Sequence, residues 1–186
     1  MGRAPCKLRC TMRQEAPAPP AYTIREAALP DAPVLAHQRR LMFDSIAPLP
    51  DRDGDHLEAA ILRYIVQAMP AGTFRSWVVE HGGTIVAGGG LQLRTLMPRP
   101  GYVRGEPEGL IVSMWTDPEH RRRGLGRLVV DAMLAWGRSH GVTRFTLHAS
   151  NDGRPLYALY GFTQTNEMRL ETSSDDPGAL IVERTG

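Results

Sequence analysis

The stretch that decides the fold is residues 110–130, LIVSMWTDPEHRRRGLGRLVV. Its first part, residues 110–116, is almost entirely apolar, which predicts a strand buried on both faces. Pro118 ends that strand because proline cannot donate to a sheet. A turn rich in arginine and glycine follows. Apolar residues then recur at helical spacing, at positions 125, 128, 129, 132, 133 and 136. The stretch therefore predicts a buried strand, a basic turn and an amphipathic helix.

The basic turn, residues 121–126, has the properties of a phosphate-binding site. The first N–H groups of a helix lack internal partners, and the helix dipole places partial positive charge there. Gly124 and Gly126 carry no Cβ, so a diphosphate can approach the backbone closely. The pattern is not a dinucleotide fingerprint, which would need glycine at position 129, nor a Walker A loop. Three arginines capping a solvated turn are the structural alternative.

The other elements alternate in a way that predicts an α/β fold of the α+β type, in one domain over residues 21–186. Residues 1–20 are predicted to be a flexible tail, since 16–20 are only proline and alanine. Met12 is an alternative start, which leaves open whether residues 1–11 belong to the native protein. The predicted strands are 22–25, 77–80, 84–93, 143–150, 162–170 and 180–182. The predicted helices are 31–45, 56–69 and 155–161, with turns at 53–55 and 81–83 and a loop at 98–108.

Composition narrows the class of protein. A chain of 186 residues with a formal net charge of +2 is large enough for a sizeable core and too balanced for a nucleic-acid coat. The two cysteines, Cys6 and Cys10, exclude a disulfide framework and lack the partners of a zinc site. No apolar run approaches the length of a membrane helix. We therefore expect a cytoplasmic protein with no nucleic-acid or membrane partner.

Residues 116–127, TDPEHRRRGLGR, resemble the acetyl-CoA signature of the GNAT superfamily of N-acetyltransferases. That signature reads hydrophobic-x-Pro-x-x-(Arg/Gln)-x-x-Gly-x-(Gly/Ala), and Thr116 stands where valine is usual. The resemblance implies a central mixed, mostly antiparallel sheet flanked by helices, with acetyl-CoA as cosubstrate and no metal. It implies that amides of the turn hold the pyrophosphate and that residues 114–116 pair with the pantetheine arm as an added strand. The implied cofactor-binding residues are Met114, Trp115, Thr116, Arg121, Arg122, Arg123, Gly124, Leu125, Gly126, Arg127 and Asn151.

A second segment, residues 151–162, NDGRPLYALYGF, resembles the family's Asn…Tyr-x-x-x-Gly-Phe pattern. Tyr157 stands four residues before Gly161, and the resemblance implies that it protonates the departing coenzyme A thiolate. A phenol with an ordinary pKa of about 10 is a donor at neutral pH. A packed aromatic is the structural alternative for Tyr157. Either Asn151 or Ser150, which sits at the family's commoner spacing, is placed to reach the pantetheine amides.

The function implied is transfer of an acetyl group from acetyl-CoA to a primary amine, by direct attack in a ternary complex, with a backbone N–H near Thr116 polarising the carbonyl. A non-catalytic acyl-CoA sensor on the same fold is the alternative, and a basic-turn nucleic-acid binder is disfavoured by the charge balance. The acceptor is a small-molecule or peptide amine of unknown identity, and the protein is a monomer or homodimer. Acidic residues at 44, 51, 53 and 55 either attract a cationic acceptor or form a solvated turn. The candidates for the general base are Glu80, Glu108, Ser113 and His148.

Overall fold

One sheet organises the part of the chain that the structure, a computed structural model, describes: residues 21–98, 100, 103, 105 and 107–170. Its strands are β1 (Thr23–Glu26), β2 (Phe74–His81), β3 (Thr84–Thr95), β4 (Pro107–Thr116) and β5 (Arg144–Leu147). They lie side by side in chain order. The pairings from β1 to β4 are antiparallel, and β4 pairs with β5 in parallel. The expected mixed, mostly antiparallel sheet is confirmed.

Helices cover both faces of this sheet. They are α1 (Ala32–Asp44), α2 (Asp51–Ala68), α3 (Leu125–Ser139) and α4 (Arg154–Ala158). Helices α1 and α2 pack on one face, where Leu35, Ile61 and Ile65 join Phe74 and Val78 of β2 in one buried cluster. Helix α3 packs on the other face, against residues of β2, β3 and β4. The sheet therefore carries two hydrophobic cores, as expected for strands that are apolar on both faces.

Helix α3 is the element that the sequence predicts best. Leu125, Val129 and Met133 lie on its buried stripe, each at most 2% exposed. Gly141 follows the end of the helix with φ +78, a left-handed conformation in which glycine costs no Cβ strain. This helix and the strand before it fix the position of the basic turn between them.

Helix α2 begins at Asp51, so the predicted turn at 53–55 and helix start at 56 are wrong. Pro50 precedes the helix, and Asp51 and Asp53 lie in its first turn, where carboxylates favour the helix dipole. Gly54 is tolerated inside the helix because the Arg40 guanidinium covers it, with Nε 2.7 Å from where a Cβ would lie. The acidic run is therefore explained by the start of a helix and by Arg40.

Two strand predictions also differ from the structure. Strand β4 begins at Pro107, inside the predicted loop, because Glu108 pairs in register with Arg94 of β3 and Arg144 of β5. No strand forms over 162–170: Phe162 is half-buried and packs against Tyr157, whereas 163–170 are exposed and have no buried face. The predicted tail at 1–20 and strand at 180–182 lie outside the described residues. Within those residues, no helix has the length and apolarity that would let it cross a bilayer.

Candidate active site

The pairing between the parallel strands β4 and β5 ends before β4 does. On one edge, β4 pairs with β3 as far as Thr116, which lies opposite Ala87. On the other edge, its pairing with β5 ends where Ile111 lies opposite Leu147. Residues 112–116 therefore have a strand on one side and no described strand on the other. Their outward N–H and C=O groups can pair with an extended ligand in the manner of an added strand.

A β-bulge lies in this part of β4, which is paired with β3 and unpaired on the side of β5. Val112 lies opposite Gly90 and Trp115 opposite Gly88, so Ser113 and Met114 together face Gly89. Ser113 has φ +58, which is unusual for a residue with a side chain. A Cβ at Gly89 would overlap the sulfur of Met114 and the methyl group of Met133, so a larger residue there would displace both side chains. The bulge bends β4 at the point where it leaves β5.

The basic turn is separated from β4 by Asp117 and one 3-10 turn, Pro118–His120, and its amides are free. Arg122 and Gly124 have φ +61 and +80, and the N–H groups of Arg127 and Leu128 both donate to the carbonyl of Gly124. Among the described residues, the backbone N–H groups from Arg122 to Gly126 donate to no acceptor. This run of amides opens the 15-residue helix α3. Free amides at a helix N-terminus form a site for phosphate oxygens.

The arginine side chains of the turn divide into two kinds. Arg121 donates from Nε to the Thr116 carbonyl at 3.1 Å, and Arg123 donates to the Glu119 carbonyl at 3.3 Å. These two side chains brace the turn. Arg122 and Arg127 are both exposed; the Arg122 side chain makes no hydrogen bond within the described part of the chain, and that of Arg127 contacts the neutral hydroxyl of Tyr160 and no carboxylate. Their charge is therefore available to an anion near the free amides.

An aromatic cluster supports the turn from behind. Arg123 donates to the Tyr22 hydroxyl at 3.0 Å, and the same hydroxyl lies 2.9 Å from Nδ1 of His120. The Tyr22 ring stacks on His81 with centroids 4.5 Å apart. The members of this cluster come from three separate segments and carry no motif, so no pattern in the sequence indicates this support.

Tyr157 lies on α4 and is 8% exposed. It is in one buried cluster with Val130 and Leu134 of α3, and Met114 of β4 packs against that cluster. Burial raises the pKa of the Tyr157 phenol to about 12. Its hydroxyl makes no hydrogen bond to any described residue. A protonated donor without a protein acceptor thus stands close to the unpaired part of β4.

Tyr160, the neighbouring tyrosine of this segment, is bound differently. Its hydroxyl donates to the Asp131 carboxylate at 2.7 Å and lies 3.2 Å from the Arg127 carbonyl. Burial and the bond to Asp131 raise the pKa of Tyr160. Tyr160 therefore ties this segment to α3, which leaves Tyr157 as the available donor.

Ser150 and Asn151 also differ. Ser150 caps α4: its Oγ accepts from the Gly153 N–H at 3.2 Å, and its carbonyl accepts from the Arg154 N–H at 3.1 Å. Asn151 is exposed, and its amide side chain bonds to no described residue. Asn151 is therefore the freer of the two for a ligand.

All four general-base candidates contact other side chains. Glu80 pairs with Arg25 at 2.7 Å. Glu108, at the start of β4, accepts from Arg94 at 2.7 Å, and Arg144 Nε lies 3.0 Å from its other oxygen, a contact too poorly aligned to count as a hydrogen bond. The Ser113 hydroxyl accepts from Arg39.

His148 is exposed just beyond β5, with Nε2 3.3 Å from Nη2 of Arg169 and 3.9 Å from Glu167. No group of three or more His, Cys, Asp or Glu side chains converges anywhere in the described part of the chain. The site therefore consists of backbone amides, an unpaired strand edge and a phenol.

Comparison with known proteins gives one family match and many structural matches. The sequence profile of the acetyltransferase (GNAT) family matches residues 39–162, which contain the basic turn and Tyr157. A GCN5-related N-acetyltransferase from Ralstonia eutropha JMP134 is 26% identical, with a TM-score of 0.74 over 82% of this chain and 99% of that one. A predicted acetyltransferase from Clostridium acetobutylicum, solved with acetyl-CoA, is 25% identical, with a TM-score of 0.71 over 82% and 96% of the two chains.

The same fold occurs in a transcriptional regulator from Bacillus halodurans C-125, at 18% identity, with a TM-score of 0.63 over 83% of this chain and 100% of that one. A search of curated protein sequences gave no match.

Proposed function

This chain belongs to the acetyltransferase (GNAT) family, and we propose that it transfers the acetyl group of acetyl-CoA to a primary amine by direct attack in a ternary complex. The observation that carries the proposal is the run of free amides from Arg122 to Gly126, next to the unpaired edge of β4. Coenzyme A has a diphosphate for the first feature and an extended amide arm for the second. Both features belong to one continuous segment of the chain, residues 112–126.

In the proposed complex, the amides of the turn bind the pyrophosphate and residues 114–116 hydrogen-bond the pantetheine arm. Arg122 and Arg127 add positive charge beside the phosphates, and the Asn151 amide binds the arm from the α4 side. A backbone N–H near Thr116 polarises the thioester carbonyl. The amides from Arg122 to Gly126 and the Asn151 side chain have no hydrogen-bond partner within the described residues, so they are free to make these contacts.

The transfer forms a C–N bond, breaks the C–S bond and releases a proton from the amine. The neutral amine nitrogen attacks the thioester carbonyl carbon, the C–S bond breaks, and its electron pair stays on sulfur. The product is an N-acetyl amide, and the amine loses a proton to a base or to water. The Tyr157 phenol donates to the sulfur as negative charge develops there.

The raised pKa of Tyr157 defines this role more closely. A thiol has a pKa of about 8.5, so complete proton transfer from a phenol of pKa about 12 costs about 5 kcal/mol. Tyr157 therefore stays protonated at neutral pH and stabilises the leaving thiolate mainly by a hydrogen bond.

The alternative function is an acyl-CoA sensor without turnover. It is favoured by one observation: Glu80 and Glu108, the two carboxylates considered as bases, are ion-paired to arginines. The fold itself is compatible with either function, since one protein that shares it is a transcriptional regulator.

Titration with acetyl-CoA, followed by thiol-release assays against a panel of amines, separates the two. Saturable binding with release of free coenzyme A supports the enzyme. Binding without turnover on any amine, unchanged by Tyr157→Phe, supports the sensor, and absence of binding contradicts both.

A further inference from the structure

Arg39 is a cation on the buried side of a helix. Ala32, Leu35 and Ala36 are buried on α1 and lie seven, four and three residues before it, so Arg39 continues their stripe. Its side chain is half-buried, and its guanidinium carbon lies 4.9 Å from the centre of the Phe43 ring. The stripe directs the charge toward the sheet instead of toward bulk water.

The guanidinium reaches the bulge of β4. Arg39 Nη1 donates to the Ser113 hydroxyl at 2.8 Å. Ser113 immediately precedes residues 114–116, where the proposed function places the pantetheine arm and thioester. In the proposed complex, the guanidinium would therefore lie beside the reacting bond, on the side of the sheet that α1 and α2 cover.

Arg39 differs from its neighbours in having no carboxylate partner within the described residues. Other packed arginines are ion-paired: Arg25 with Asp31 and Glu80, Arg75 with Glu26, Arg94 and Arg144 with Glu108. Arg40, the next residue, contacts Asp44, Asp55 and Glu58. The carboxylates nearest in sequence are thus held by Arg40, and the charge of Arg39 is not neutralised.

An unpaired, half-buried cation is costly. Burial lowers the pKa of Arg39, although the ordinary pKa of an arginine is so high that the side chain stays charged at neutral pH. Taking a charge out of water destabilises the protein unless an opposite charge compensates. The hydroxyl of Ser113 orients the guanidinium but supplies no negative charge. An anion that arrives with the substrate would supply it.

We propose that Arg39 binds an oxyanion of the acetyl acceptor, so that the acceptor is an amine that also carries a carboxylate or phosphate group. The inference rests on the proposed function and names its substrate class. A planar guanidinium matches two oxygens of either group. With Nη1 held by Ser113, the other nitrogens are left for the ligand, and the amine of a short acceptor then reaches the thioester beside residues 114–116.

Matched amines that differ in the oxyanion test this inference. β-Alanine is compared with propylamine, and O-phosphoethanolamine with ethanolamine, by release of free coenzyme A. We expect the wild-type protein to prefer the charged member of at least one pair, and the better pair identifies carboxylate or phosphate. In Arg39→Gln, we expect kcat/KM for that amine to fall about 10- to 100-fold, mainly through KM, with little change for its uncharged partner. Arg39→Lys should restore part of the loss.

Arg63→Gln is the matched control, because it removes one positive charge from an exposed position of α2, the helix that packs against α1, and should keep the preference. Equal losses for both members of a pair in Arg39→Gln would show a structural role and overturn the inference. Absence of any oxyanion preference in the wild-type protein would overturn it as well. Failure of acetyl-CoA to bind the wild-type protein would instead contradict the proposed function, since Arg39 lies outside the phosphate-binding turn.

Discussion

Replacing Tyr157 by phenylalanine tests the assignment of the leaving-group donor. The substitution removes one hydroxyl and keeps a ring that is 8% exposed and packed edge-on against Phe162, with centroids 5.9 Å apart. Because that hydroxyl bonds to no described residue, we expect the free energy of unfolding at pH 7 to change by less than about 0.5 kcal/mol. The loss should appear in catalysis alone.

Its magnitude follows from the chemistry of the step. Removing one donor aimed at developing charge typically lowers kcat by about 100- to 1000-fold. We therefore expect kcat of Tyr157→Phe to fall at least about 100-fold, while the Kd for acetyl-CoA stays unchanged. The phenol is active in its protonated form, and its pKa is raised to about 12. The rate should therefore show no falling limb from Tyr157 up to pH 10.

Tyr160→Phe is the matched control. It removes a hydroxyl that is bonded to Asp131 at 2.7 Å, so it should cost about 1 kcal/mol of stability and change kcat by less than about threefold. Thiol-release kinetics and chemical denaturation of both variants give the comparison. If Tyr157→Phe retains wild-type kcat, or if Tyr160→Phe shows the larger catalytic loss, the assignment of Tyr157 is wrong.

Three further predictions concern stability. Glu108→Gln should lower the free energy of unfolding, measured in urea, by about 1–3 kcal/mol and should leave acetyl-CoA binding intact. The loss is smaller than for a fully buried ion pair because Arg94 and Arg144 reach water. Unchanged stability would contradict the stabilising role of these ion pairs. Gly89→Ala should lower the free energy of unfolding by about 1–3 kcal/mol, because the new methyl group overlaps Met114 and Met133, and it should weaken acetyl-CoA binding. Unchanged stability and affinity would show that the bulge is not tightly packed. Folding raises the pKa of Tyr157 from 10.0 to about 12, so the folded state binds the phenol proton more tightly than the unfolded state does. The contribution of this proton to the free energy of unfolding is therefore complete below pH 10 and is lost as the pH rises toward 12. Stability should fall by about 2 kcal/mol more between pH 9 and 11.5 in the wild type than in Tyr157→Phe, and equal losses would contradict the burial argument.

The sequence predicted the features that depend on local pattern. The apolar stripe of α3, the buried strand before it and the glycine-punctuated turn are periodic or punctuated, so their positions were correct within a few residues. The start of α2 was missed because Asp53-Gly54-Asp55 has the composition of a turn, and only the Arg40 side chain shows why a helix tolerates it. The expected strand at 162–170 does not form because its residues beyond Phe162 are all exposed and add nothing to the hydrophobic core.

The finer geometry of the site depends on contacts between distant segments. The positive φ of Ser113 arises from the mismatch of register between β3 and β4, which no local pattern encodes. That Arg121 and Arg123 brace the turn follows from their bonds to Thr116 and Tyr22. The sequence indicates the position of Arg39 only weakly, as a charged residue that lies seven positions after Ala32 on an apolar helix stripe. Its lack of a carboxylate partner could be seen only in three dimensions.

The most direct test of the central claim is the affinity for acetyl-CoA of Gly124→Glu beside that of Gly72→Glu. Both glycines have positive φ, +80 and +70, and neither has an atom within 4 Å of the position of a Cβ. The two variants thus introduce the same strain and the same charge, one at the free amides and the other in the connection between α2 and β2. By calorimetric titration, we expect Gly124→Glu to weaken binding at least about 100-fold and Gly72→Glu to bind like the wild type. Equal affinities in the two variants would show that coenzyme A does not bind at this turn.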